Sequence, residues 1–517
     1  MAEPAPPVKP LEGGARVAAS LAVGLATFMN VLDVSIANVS IPAIAGELGV
    51  SPNQGTWIIT SFAVANAISV PLTGWLTERF GQVRLFLATT ALFVLASLLC
   101  GLAISMPMLV FFRIVQGAVA GPMIPLSQTL LLSTYPREKA GVALATFALT
   151  ILVAPVVGPV LGGWITDNFS WPWIFFINVP VGVIALGMTW VLFRDRETER
   201  VKRPIDKIGL VLLVLWVGAL QLMLDKGKDL DWFASTEIVV LAIVAAFAFS
   251  IFLVWELTEE HPVVDLSLFR NRNFSTGTLA IALAYGAYFG SIVLLPLWLQ
   301  QFMGYTATDA GLVLAPVGIL ALLLTPLVGR SSGKIDPRLF ATASLLIFAV
   351  VAWMRSRFNT QVDLWTLVVP TILQGAAVSC FFVPLVALAL GGLPQERIAA
   401  ASGLNNFLRI FAGAFATSIA TTLWENRAAL HHAQLVEHLT PNDPQTIGAL
   451  DLLGRLGLQA NERYAMLERM VNQQAFTLSA LDLFYASAVL LVLLVPFLWI
   501  ARPPRRGEGA GAAAGAH

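Results

Sequence analysis

Three ionisable side chains stand inside runs that are otherwise hydrocarbon. Asp33 lies within AASLAVGLATFMNVLDVSIANVSI (18–41), Arg113 within an apolar run over 107–131, and Arg409 within another over 398–423. Placing a charge so deep costs roughly 2.5–3.5 kcal/mol on membrane-insertion scales, so such residues are kept for a function. Asp33 is about 4.5 Å, and Arg113 about 9 Å, outward of the middle of its run at ~1.5 Å per residue. That difference in depth is within the reach of an arginine, so a direct or water-bridged pair is allowed if the two segments adjoin. A static ion pair would join two helices and do nothing more. The neighbours favour another reading: Asn30 lies one turn before Asp33 and Asn38 five residues after it, while Gln116 shares the helical face of Arg113 one turn on. A carboxyl among clustered polar groups describes a wet cavity with a titratable centre. Loss of water disfavours the charge on Asp33 and Arg113 favours it. A group balanced between the two influences can take up and release a proton as the cavity changes sides, which is the chemistry of proton-coupled transport. Arg409, beside Asn405 and Asn406, reads as a substrate contact in the second half of the chain or as a partner for backbone carbonyls, with the first preferred.

Other chemistry finds no support. No Ser/His/Asp cluster and no metal-ligand spacing occurs, and His431, His432 and His438 read as a solvated helix face. No GxxxxGK[ST] loop is present, so ATP hydrolysis is unsupported. A formal net charge of zero argues against nucleic acid as a partner. The two cysteines, Cys100 and Cys380, lie in separate apolar runs and suggest neither a disulfide nor a thiolate site. No catalytic residue, metal ligand or cofactor is assigned, and the energy source expected is a proton gradient.

The elements that position these residues follow from composition. Of 517 residues 57% are hydrophobic and 12% charged, with a mean hydropathy of +0.78, which belongs to a chain facing lipid. A crossing needs about 20 apolar residues. Fourteen candidate spans emerge, near 18–41, 54–77, 83–103, 107–131, 141–165, 172–193, 206–226, 236–256, 274–301, 309–329, 337–354, 364–390, 398–423 and 480–502. The Pro-rich start has no cleavable signal pattern, so the first span reads as an uncleaved insertion signal. Lys and Arg gather in the even-numbered connections, among them Arg79 with Arg84 and the RDRETERVKR run (194–203); odd-numbered connections are poor in both apart from Lys226, Lys228, Arg355 and Arg357. Both termini are therefore expected in the cytoplasm.

The chain also repeats itself. Gln116-Gly117 recurs as Gln374-Gly375, and Pro136-Arg-Glu-Lys139 as Pro394-Gln-Glu-Arg397, both at a spacing of 258 residues. The stretch 71–86, from the end of the second span, is echoed by 325–340, from the end of the tenth, with Gly74 against Gly329 and Arg84-Leu-Phe against Arg338-Leu-Phe. Spans two and four thus match ten and twelve, a shift of eight helices where a six-helix duplication would give six. Two helices, 206–226 and 236–256, must have been inserted between the halves. The expected organisation is a cytoplasmic tail (1–17), a six-helix bundle (18–193), a linker with the inserted pair (194–273), a second bundle (274–502) containing a long outer connection (424–478), and a cytoplasmic tail (503–517). In the long connection, apolar residues at helical spacing suggest amphipathic helices, serving as a lid over the outer mouth or as a docking surface.

Four motifs carry a family resemblance. LDVSIANVSIP (32–42) resembles the span-one motif LDxTIxNVALP of fourteen-helix drug:proton antiporters of the major facilitator superfamily, and RIVQG (113–117) matches their RxxQG. GWLTERFGQVR (74–84) is similar to the loop motif GxLADRxGRKR, with Glu78 for Asp, Gln82 for Arg and Val83 for Lys; APVVGPVLGG (154–163) is similar to the span-five antiporter motif, with Ala154 for Gly. DLDWF (229–233), PVVDLSLF (262–269) and the long outer connection add likeness to inner-membrane pumps of tripartite efflux systems. The resemblance implies the major facilitator fold (an all-α polytopic membrane protein, 6 + 2 + 6 helices) with a midplane substrate site between the halves. It also implies proton-driven export of amphiphilic drugs from the bacterial inner membrane, with a periplasmic adaptor and an outer-membrane channel as partners. Uptake of a nutrient with protons is the alternative, opposed by the span-five motif. Within that motif Gly158, Gly162 and Gly163 allow a neighbouring helix to approach closely, and Pro155 and Pro159 weaken the local hydrogen-bond ladder. The span can therefore bend, or seal between the halves. In the 74–84 loop, Gly74 allows close helix contact, Gly81 marks the turn, and Glu78 is expected to pair with Arg79 or Arg84 as a cytoplasmic latch. Gln374, the repeat of Gln116, joins Asn30, Asn38, Gln116, Asn405, Asn406 and Arg409 as an expected cavity residue.

Overall fold

The computed structural model describes residues 11–135, 140–198, 200, 205–227, 230–260, 262–331, 335–391, 393, 395–440 and 443–502. The 1–10 and 503–517 ends, the 136–139 stretch, Pro394, Lys228, Lys334 and part of the basic 194–203 run lie outside them. No strand occurs among the described residues. The long helices are α1 (Gly13–Glu47), α2 (Pro52–Ser69), α3 (Gln82–Gly101), α4 (Met106–Thr134), α5 (Ala140–Asn168), α6 (Trp173–Phe193), α7 (Lys207–Lys226), α8 (Thr236–Thr258), α9 (Arg272–Phe302), α10 (Ala307–Val328), α11 (Pro337–Arg355), α12 (Leu364–Leu390), α13 (Gln395–Glu437) and α14 (Ala460–Leu498). Twelve of these pass as membrane spans on length and apolarity, or thirteen when α2 is counted with Thr73–Phe80, which bends away from it by 60°. The remaining one, α5, falls where the fifth span is expected.

Local sequence sets the helix ends. Gly49, with φ +67°, closes α1, and the Val50 N–H reaches the Ala45 carbonyl in a left-handed cap that suits glycine. Asn271 caps α9, Thr306 with Asp309 forms a capping box before α10, and Asp336 followed by Pro337 opens α11. Asp206 caps α7 and also accepts from the Trp255 indole of α8 at 3.0 Å, which ties the inserted pair together.

The duplication is visible in the packing. α1 lies on α5 and α2 on α4, and the same pairs recur as α9 on α13 and α10 on α12. The two halves meet along two seams, α5 against α10 and α2 against α13, and α7 leans on both members of the second seam. Apolar side chains such as Leu95, Val191, Phe247 and Trp353 stay exposed on the outer surface of the bundle, as a lipid-facing wall requires.

Beyond the face that loop charges assign to the outside, the expected connection over 424–478 is largely helix. α13 continues to Glu437 and α14 begins at Ala460, with a short helix Pro444–Arg455 between them. At 43 residues α13 is about 65 Å long, roughly twice the hydrocarbon thickness, so it projects as one arm of a hairpin. Phe302 stacks on Phe476 at 4.3 Å at its base; Asp482, inward of Phe476 along α14, meets Arg427 and His431, and farther out His432 meets Glu468 at 3.0 Å. His431 and His432 thus pair with acids of α14, and the short helix packs on α14.

Candidate functional site

Asp33 is fully buried between α1, α3, α4 and α6. Its Oδ2 accepts from the Arg113 guanidinium, and its Oδ1 accepts from Gln116 Nε2 at 3.0 Å and Asn178 Nδ2 at 2.8 Å. Asn178 also donates to Ser97 Oγ at 2.9 Å, and Ser97 donates to the Phe175 carbonyl. Arg113, fully buried as well, spreads its charge widely. Its Nε donates to the Ile58 carbonyl at 3.0 Å, its Nη1 also donates to Gln116 Oε1 at 2.7 Å, and its plane lies 4.3 Å from the Phe62 ring centroid. Arg113 Nη2 has no hydrogen-bond partner among the described residues. A buried pair of this kind is maintained only when hydrogen bonds complete both ions, and here two side chains, Gln116 and Asn178, and the Ile58 carbonyl do most of that work. Protonating Asp33 would remove the charge that holds Arg113 while leaving the guanidinium its bonds to Gln116 and to Ile58.

The other expected cavity residues divide. Asn30 donates to the Ala120 carbonyl of α4 at 3.0 Å, which joins α1 to α4 without touching Asp33. Asn38 is buried, its Oδ1 without a partner among the described residues, and it lies outside the Asp33 cluster. The polar stripe expected along α1 therefore faces more than one neighbour. Asn405 turns to Thr278 of α9 at 3.0 Å, whereas Asn406 accepts from Arg409 at 3.1 Å, so the two asparagines do not share a face. Arg409 lies over the rings of Tyr285 (5.1 Å) and Phe382 (5.3 Å), and its buried Nε has no partner among the described residues.

Gln374 accepts from Arg355 Nη2 at 2.6 Å, and Thr371 hydrogen-bonds the same nitrogen at 3.3 Å. Adding the repeat spacing to Arg113 and Gln116 gives Thr371 and Gln374, so the second half keeps the glutamine and takes its guanidinium from α11 instead of α12. Arg355, expected as a loop charge, is 2% exposed inside the bundle. Its position at the end of a span, two residues before Arg357, concealed it. Asn178 and Ser97 were missed because a single amide or hydroxyl in an apolar run gives no hydropathy signal. Asp225 was passed over in the same way as Arg355, as the last residue but one of a span.

The motif glycines are also sorted by the structure. A Cβ on Gly158 would meet Ser35 at 2.5 Å and one on Gly162 would meet Ile36 at 2.7 Å, so α5 lies tight on α1. A Cβ on Gly163 would lie 2.4 Å from the Ala307 carbonyl oxygen, and one on Gly311 would lie 2.2 Å from that of Pro159. The glycines and Pro159 thus form the outer part of the α5–α10 seam, supported by Thr308, whose N–H donates to Asp167 at 2.7 Å, and by Gln300, which donates to the Val39 carbonyl at 2.9 Å. The Pro155 side chain lies outside the described residues. Gly74, by contrast, is exposed with open space where a Cβ would stand, so close helix contact does not explain it. The carboxylate that meets Arg84 is Glu197, from the 194–203 run, at 3.8 Å. It also accepts the Val83 and Arg84 N–H groups at the start of α3, and it presses on Gly81 (φ +90°). Arg79 is exposed, and Glu78 lies on the bent segment before Gly81. Among the described residues no group of three His, Cys, Asp or Glu side chains could hold a metal ion.

Comparison with known proteins agrees with this architecture. The family model of the Major Facilitator Superfamily matches residues 23–417. The chain is 52% identical to the multidrug export protein EmrB of Haemophilus influenzae (96% of this chain, 97% of the relative) and 51% identical to EmrB of Escherichia coli K12 (98% and 99%). It is 48% identical to the fatty acid resistance protein FarB of Neisseria gonorrhoeae (97% and 99%). Among solved structures, the peptide transporter PepTSo superposes with a TM-score of 0.63 at 13% identity, covering 95% of this chain and 99% of its own. The Escherichia coli xylose transporter XylE superposes with 0.58 at 12%, covering 96% and 98%. At such identities the two structures speak for the fold alone.

Proposed function

Because the chain belongs to the major facilitator superfamily, as an EmrB-like multidrug transporter, we propose that it exports amphiphilic toxic compounds in exchange for entering protons. Alternating access is the mechanism, and Asp33 is the coupling carboxylate. The single observation that carries this reading is the buried Asp33–Arg113 pair, whose remaining valences are met by Gln116, Asn178 and Ile58. A proton arriving from outside neutralises Asp33 and frees Arg113 to re-pair. Release of that proton inside restores the pair and resets the site. One charge crossing about 150 mV gains roughly 3.5 kcal/mol, at ~2.3 kcal/mol per 100 mV. That supports a drug gradient of a few hundred-fold per proton, since 1.4 kcal/mol is about tenfold.

Arg409, over its two aromatic rings, and Asn406 are the second-half groups we assign to the substrate. The outer hairpin of α13 and α14 projects well past the hydrocarbon, and this favours its assignment as the docking surface for a periplasmic adaptor. The resulting assembly would be an inner-membrane pump working with an outer-membrane channel, both termini cytoplasmic. The EmrB and FarB names, which speak of export and of resistance, support efflux over symport.

Dye efflux from right-side-out vesicles with an imposed pH gradient tests the reading. Asp33→Asn should insert normally and lose gradient-driven export; full export by that variant would reject Asp33 as the coupling group. Accumulation of the compound on the cytoplasmic side under the same gradient would favour symport.

A further inference from the structure

Asp225 lies at the outer end of the inserted helix α7, where α2 of the first half and α13 of the second come together. Its Oδ2 accepts from Thr60 Oγ1 of α2 at 3.0 Å. Its Oδ1 accepts from Ser418 Oγ of α13 and from Gln221 Nε2, one turn back on α7, at 2.8 Å. Gln221 also donates to Ser418 at 2.6 Å. One carboxyl group therefore joins both halves and the inserted helix, and every donor to it is neutral.

The charged groups around it are turned elsewhere. Lys226 pairs with Glu237 of α8 at 2.6 Å, and α2 has no ionisable residue between 52 and 69. On α13 the nearest ionisable residues, Arg409 and Glu425, lie about two turns or more from Ser418 on either side. No cation among the described residues meets Asp225, in contrast to Asp33. A carboxylate drawn from water into a closed seam without a counter-charge is disfavoured, and three neutral hydrogen bonds offset that only in part. A proton removes the conflict. The Gln221 amide gives a second, independent sign: its Oε1 is buried with no donor among the described residues. Turned over, the amide would present that oxygen to Asp225, where a carboxyl O–H satisfies it and a carboxylate does not.

We propose that Asp225 is a second proton-binding site, and that the proton it takes from the outer water lets the α2–α13 seam close. When the seam parts, Thr60 and Ser418 separate, the carboxyl rehydrates, and the proton returns to the outer water. This proton sets the response of the outer gate to external pH and leaves the exchange ratio unchanged. The inserted helix pair thereby acquires a function, since it brings the acid to the seam. The inference rests on the alternating-access reading, though not on the role of Asp33.

The test uses the full-length protein in lipid nanodiscs, with spin labels at Phe169→Cys and Gln361→Cys, exposed outer positions on opposite halves. Their distance distribution is recorded from pH 5 to 9. The wild type should pass from short to long distances as pH rises. Asp225→Asn, neutral at every pH, should stay short throughout or move the midpoint up by at least about one pH unit, tenfold in proton concentration. Thr60→Val with Ser418→Ala removes the neutral donors that help the closed seam tolerate a carboxylate, so its midpoint should move down. Opposite shifts are not the mark of a purely structural role, and the double variant serves if Asp225→Asn does not fold. An Asp225→Asn midpoint equal to the wild type, or a double variant without a shift, overturns the inference. A wild type whose distances respond neither to pH nor to added dye sinks the alternating-access reading, and the inference with it.

Discussion

Adding one carbon atom to Gly163 should hold the outer mouth open. The contacts its Cβ would make are all backbone: the Ala307 carbonyl oxygen at 2.4 Å, its carbon at 2.6 Å and the Thr308 Cα at 2.6 Å. No side chain can swing away, so α5 and α10 must separate by about 1 Å to restore an ordinary contact. Overpacking of this kind costs about 1–3 kcal/mol. That penalty falls only on the state in which the seam is closed, so the equilibrium should move toward the outward-open form by about 5- to 150-fold. The Phe169–Gln361 distance distribution reads this directly, and export of a dye from vesicles should fall in step. Gly74→Ala is the control, because nothing lies within 4 Å of a Cβ there. If Gly163→Ala keeps both the wild-type distance distribution and the wild-type export rate, the α5–α10 contact is not a gate, and reasoning from close backbone approach to conformational control fails here.

Three further predictions concern the inner face and the hairpin. Glu197→Ala removes the acceptor for the Val83 and Arg84 N–H groups and the partner of Arg84, so the purified protein should lose about 1 kcal/mol of stability, read as a lower melting temperature. Asp265 lies between α8 and α9. Partial burial pushes its carboxyl up, but hydrogen bonds from Ser267 and Arg397 and the Arg397 charge outweigh this and hold it below the usual carboxylate range. Its contribution is thus present above the unfolded value of about 3.9 and is lost as pH falls through the folded one. Asp265→Asn should therefore lower the melting temperature at pH 7 by the equivalent of under about 1 kcal/mol, since both partners are partly exposed, and the difference should vanish in strong acid. Replacing the short helix Pro444–Arg455 by a flexible linker should leave dye efflux from vesicles unchanged and abolish capture of a co-expressed adaptor by the detergent-solubilised pump.

Much of this molecule is legible along the chain because a bilayer reads sequence in one dimension. Hydrocarbon demands long apolar runs, loop basicity reports sides, and duplication leaves a fixed spacing, so spans, halves and the inserted pair follow from counting. Depth is one-dimensional too, which is why Asp33 and Arg113 could be matched before any fold was known. What faces what around the membrane normal is a different matter, since no residue carries its lateral neighbours in its own chemistry. Helix packing alone turned Asn30 to Ala120 and Asn405 to Thr278, drew Asn178 and Ser97 to the carboxylate, and brought Glu197 to Arg84. Packing also made Gly163 a seam and left Gly74 open, although both are glycines of known motifs. Charges at span ends were the least readable of all: Arg355 and Asp225 look like loop residues by position. Only the way the bundles close around them decides that one replaces Arg113 in the second half and the other joins the halves to the inserted helix.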